Sequence, residues 1–64
     1  MYAIRKTGTD LYFCGISSKY PFLKFQPMNE GYICAFQLHS QAKEYMDFAI
    51  EHKWVNFSME VDIV

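Results

Sequence analysis

Two periods alternate along this chain. Met1 to Thr7 is short and strand-compatible, and Gly8-Thr9-Asp10 then supplies turn chemistry, glycine for positive φ and aspartate for bonds to its own backbone. Leu11 to Ser17, LYFCGIS, is dense in strand formers, so the first seventeen positions predict a β-hairpin closed by a three-residue loop. Pro21 and Pro27 punctuate the next stretch, each removing a backbone donor, which leaves Phe22 to Gln26 as a short edge strand at most. After a second turn at Asn29-Glu30-Gly31, a strand is predicted from Tyr32 to about Leu38.

The period then changes from two to 3.6. Ala42, Tyr45, Met46, Ala49 and Ile50 recur at the spacing of one buried helical face, with Ser40 placed to cap the first turn and His52 and Lys53 placed where cations suit a helix C-terminus. From Trp54 onward, Val55, Phe57, Met59, Val61 and Ile63 alternate with Asn56, Ser58, Glu60 and Asp62, the most regular strand pattern in the chain. The expectation is a single α+β domain over residues 1–64: a small, mostly antiparallel sheet of four or five strands in the order β-β-(β)-β-α-β, with one helix on one face.

One helix covers one face of a sheet. Yet Leu11 to Ile16 and Tyr32 to Leu38 are apolar at both parities, and two-sided apolar strands call for cover on both sides. The loop residues Tyr20, Phe22, Leu23 and Phe25 could fold over the second face; otherwise a partner covers it. Composition sharpens the question, because 52% hydrophobic and 19% aromatic residues in 64 positions is more apolar surface than so short a chain hides easily. The partner-binding residues expected on this ground are Tyr12, Ile16, Tyr20, Phe22 and Phe25, near the uncovered sheet face. Phe48 joins them, since it lies off the buried helical stripe with Tyr45 and His52 on its flank.

Charge and chemistry narrow the classes. Six basic and seven acidic side chains are dispersed, which disfavours nucleic acid as a partner. Glu44, Asp47 and Glu51 share the solvent face of the helix, and His39 and His52 have no metal-binding spacing, so no metal or cofactor is expected. Cys14 and Cys34 lack C-x-x-C spacing and read as reduced core thiols. No nucleophile, base and orienting group carry a local signature, and the three glycines form no phosphate loop, so no catalytic residues are expected. The opening MYAIRKTG is not a charged leader followed by an apolar run, and no 18-residue apolar stretch occurs; a cytoplasmic protein without a membrane span is the expectation.

Two resemblances add to this. The segment EGYICAFQLHSQA loosely resembles the strand-to-helix passage of an RNA recognition motif through Gly31, Tyr32 and Phe36, but Glu30 replaces the basic residue, Cys34 occupies the second aromatic position and the next aromatic is out of register. In size and style, an aromatic-rich chain with Ala42, Tyr45 and Met46 on its helix before a final strand resembles the small accessory proteins of bacteriophages and other mobile elements. That resemblance implies a protein that binds and blocks a host factor, including host defence enzymes. The expected function is therefore a non-enzymatic, self-associating protein-binding module. The rivals are a small-ligand protein that sequesters a nucleotide between aromatic rings and a single-stranded nucleic-acid binder.

Overall fold

A computed structural model describes all of residues 1–64. Four strands, β1 (Tyr2–Lys6), β2 (Leu11–Ile16), β3 (Leu23–Pro27) and β4 (Met59–Ile63), form one antiparallel sheet in the order β3-β2-β1-β4, with a single helix, α1 (His39–Glu51). This is the small α+β architecture that the change of period implies. The β1–β2 turn is closed by Thr9, whose hydroxyl donates to the Lys6 carbonyl at 2.8 Å and accepts from the Leu11 N–H at 3.1 Å, while Gly8 takes a φ of 75°.

Residues 32–38 are not the expected strand. β1 and β2 pair at Arg5 and Tyr12 beside their turn, but farther along they hand their hydrogen bonds to this segment. The Cys34 N–H donates to the Phe13 carbonyl at 2.9 Å, and Tyr2 and Phe36 exchange bonds of 2.9 and 2.7 Å. The segment is thus a wedge between two parted strands, extended because its ends must reach both.

The helix begins one residue before the expected cap. Leu38 is the N-cap, and since leucine has no oxygen to offer, only the reciprocal half of a capping box forms: Gln41 Oε1 accepts from the Leu38 N–H at 3.1 Å. At the other end the Trp54 N–H donates to the Ala49 carbonyl at 2.9 Å and the Lys53 N–H to that of Ile50 at 3.0 Å, a Schellman motif in which Lys53 takes the left-handed position with φ 57°.

The helix packs on β1 and β4 through Ala42, Met46 and Ala49, and Tyr45 is half-buried. Ile50, expected on the same face, is 47% exposed, because the stripe drifts off the sheet in the last turn. Ala42, Met46 and Ala49 join Ile4, Phe13, Leu23, Val55 and Met59 in the core. Residues 54–58, expected to continue the last strand, instead cross the end of that core from β3 to β4. Phe57 packs edge-on to Phe25 at 5.3 Å and beneath the Lys6 ammonium at 4.4 Å, and Thr7 then donates to Ser58 at 3.0 Å to start the β1–β4 ladder.

The far face of the sheet is not the uncovered apolar face the strand patterns suggest. Arg5, directly opposite Glu60 and Tyr12, holds Asp62 through Nε at 2.5 Å and Glu60 through a second guanidinium nitrogen; the Tyr12 hydroxyl reaches Asp62 at 3.5 Å. The hydrogen bond to Asp62 is the main reason the guanidinium pKa is raised above its already high value. This polar cluster spans β2, β1 and the edge strand β4 on that face.

Candidate functional site

The surplus of apolar side chains emerges at one end of the sheet rather than on its back. A bulge in β2 between Phe13 and Gly15 shifts the strand's register, so that Ile16 pairs with Leu23 at the strand's end. Leu23 is in the core, while Ile16 is 65% exposed. The loop after β2 then folds back, its Ser17 N–H donating to the Phe22 carbonyl at 2.7 Å, and the Tyr20–Pro21 peptide is cis.

From this loop an apolar strip runs to the helix. The Tyr20 and Phe22 rings meet edge-on at 5.7 Å; Phe22, Ile16 and Trp54 line a shallow groove of about 300 Å³; Trp54 meets Phe48 edge-on at 5.2 Å; and Phe48 packs against His52 at 4.1 Å with the rings tilted by 44°. Tyr20 and Phe48, at the two ends, are each about half exposed. Three separate parts of the chain therefore contribute to one continuous surface: the end of β2 with its loop, the last turns of α1 and the segment leaving the helix.

Four of the expected partner-binding residues, Ile16, Tyr20, Phe22 and Phe48, belong to this strip. Two do not. Tyr12 sits on the polar far face beside Asp62, and Phe25 packs inward against Phe13 at 6.2 Å and Phe57. The sequence reading groups both with Phe22 near an uncovered sheet face, because it registers neither the bulge nor the crossing segment that claims Phe25. Trp54, absent from the expectation, joins the two halves of the strip; the only signal for it in the sequence is a lone tryptophan directly after the helix.

A second groove, of about 520 Å³, opens where the wedge enters the sheet. Phe13, Ile16, Cys34, Phe36 and Tyr45 line it, and Tyr32, 81% exposed, stands at its mouth. Ile16 is shared by the two grooves. Burial, and secondarily the Cys14 thiol, pushes the Cys34 thiol up; burial likewise raises the Tyr45 hydroxyl, with Cys34 adding to it. Both groups are therefore neutral at physiological pH. Neither cysteine is a fully buried core thiol: Cys34 packs against the core from its edge, and Cys14 donates to the Lys24 carbonyl at 3.4 Å from the bulge.

No three His, Cys, Asp or Glu side chains converge as metal ligands, and no helix is long and apolar enough to cross a membrane. His39 packs edge-on to Tyr2 at 5.5 Å, at the end of the helix opposite His52. No protein-family profile matches the chain, and neither does any curated protein or solved structure.

Proposed function

We propose that this chain is a non-enzymatic protein-binding module that meets its partner through the strip formed by Ile16, Tyr20, Phe22, Trp54 and Phe48. The observation that carries this reading is continuity: Tyr20 meets Phe22, Phe22 shares a groove with Ile16 and Trp54, and Trp54 meets Phe48, so three parts of the fold form one apolar surface open to water. Isolated surface apolar residues are ordinary, whereas a contiguous aromatic patch is the composition in which interface energy concentrates. Acting in the cytoplasm by covering a surface of its target, such a module would serve as an inhibitor, the mode implied by its resemblance in size and style to small phage accessory proteins.

The test is partner capture from a lysate with the wild type and with Phe22→Ser and Phe48→Ser, circular dichroism being used to verify the fold. Capture by the wild type that both variants lose supports the reading. Capture that both variants retain removes the strip from consideration.

The larger groove favours one second reading, a small apolar ligand held among Phe13, Tyr32, Phe36 and Tyr45. Its volume falls within the range of ligand sites. No cationic side chain lines it, which suits an uncharged aromatic compound better than the phosphates of a nucleotide. A rise in melting temperature on adding such compounds is the corresponding test.

A further inference from the structure

The strip has electrical polarity along its length. At its loop end stand Lys19, adjacent to Tyr20, and Lys24, on β3 two residues after Phe22. At its helix end stand Glu44 and Glu51, one turn before and one turn after Phe48 on the same side of α1. All four side chains are exposed, and none is ion-paired within the chain: the ion pairs are those of Arg5 with Glu60 and Asp62 and of Lys43 with Asp47.

A surface that is cationic at one end and anionic at the other is complementary to itself. Under a two-fold axis through its middle, each end meets the opposite end of the mate. Building on the proposed role of the strip, we infer that its occupant is a second copy of this chain, laid antiparallel about an axis near the contact of Phe22 with Trp54. Lys19 and Lys24 of each copy then face Glu44 and Glu51 of the other. Lys53, exposed beside Trp54, lies nearest the axis, where its like-charged mate opposes the contact, so the complementarity rests on the two ends of the strip.

The available area is of the right order. Ile16, Tyr20, Phe22 and Phe48 are 65, 53, 37 and 48% exposed. With about 200 Å² for an aromatic side chain, this leaves about 400 Å² of strip surface per copy. Full cover of both strips withdraws about 800 Å² from water, close to the roughly 1,000 Å² expected of a specific association, and the partly exposed Trp54 with the charged side chains at the rims adds to it. The protomer has reason to associate, since only nine of its 64 residues are buried.

Sedimentation equilibrium over a concentration series tests the arrangement with surface charges alone. The wild type is expected to dimerise. Lys19→Glu with Lys24→Glu, or Glu44→Lys with Glu51→Lys, should each raise the dimer dissociation constant about tenfold or more by placing like charges at both ends of the contact. An equimolar mixture of the two variants should restore association, as should all four substitutions in one chain.

A wild type that stays monomeric at millimolar concentration overturns the second copy as occupant and leaves the strip open to a different protein. A dimer lost with Phe22→Ser but indifferent to every charge variant overturns the antiparallel arrangement. A dimer that survives both Phe22→Ser and Phe48→Ser overturns the strip as the site of self-association; whether the strip binds a different protein is decided separately by the capture experiment.

Discussion

The backbone N–H of Phe22 donates to the carbonyl of Trp54 at 2.9 Å. This bond joins the loop that leaves β2 to the segment that leaves the helix, two stretches more than thirty positions apart in the chain. It presents the rings of Phe22 and Trp54 as one surface, so the candidate site depends on tertiary closure and not on any local motif.

Phe22 and Phe25 lie three positions apart and should respond oppositely to truncation. Phe25→Ala removes a ring packed between Phe13 and Phe57 and is expected to lower the unfolding free energy by about 2–4 kcal/mol. Phe22→Ala, at a partly solvated position, is expected to lower it by about 1 kcal/mol or less, with the loss appearing in association instead. Urea unfolding of the two variants separates these outcomes; equal losses would mean that Phe22 is a core residue and not a contact residue.

Lys53 ends the helix in a left-handed conformation that a side chain disfavours. Lys53→Gly keeps both Schellman hydrogen bonds and removes that penalty, so a gain of about 1 kcal/mol is expected. In a domain of this size it corresponds to a rise in Tm of about 4–8 °C. A thermal melt that is unchanged or lowered contradicts the assignment of strain to this residue.

Stability should fall at alkaline pH. The folded protein holds the Cys34 and Tyr45 pKa values above their ordinary values, mainly by burial. It therefore keeps protons that the unfolded chain has already released. The contribution is complete below the ordinary thiol pKa of about 8.5 and is lost as pH rises through the raised values of the two groups. Denaturant midpoints measured from pH 7 upward should decline beyond that point, and Cys34→Val with Tyr45→Phe should flatten the decline. An identical pH profile in that variant would exclude these two groups as its source.

Hydrophobic periodicity is informative where the chain pairs with itself in long register and silent where geometry intervenes. β1, β2 and α1 fall within about a residue or two of their expected bounds, because Tyr2 to Lys6 and Leu11 to Ile16 need only a turn between them and Ala42, Met46 and Ala49 need only one face. Residues 32–38 have strand composition but insert between two strands that part, and nothing in YICAFQL records the parting. Val55 and Phe57 alternate like a strand, yet both are used to close the core on the way to β4.

The candidate surface is partly legible for a related reason. An excess of apolar residues is visible in the composition, but its location depends on the bulge that exposes Ile16 and on the Arg5 cluster that makes the opposite face polar. Alternation places Tyr12 correctly on the face away from the core and still misjudges its surroundings, since the charges beside it come from β4, some fifty residues later.

Trp54 is the only tryptophan in the chain, and it stands half-covered in the middle of the strip. Its indole is thus a built-in optical probe: whatever settles on that surface must change the emission colour or quenching of a single fluorophore. Unlabelled protein can therefore report binding in a cuvette when light is chosen at the red edge of the indole band, where the five tyrosines do not absorb.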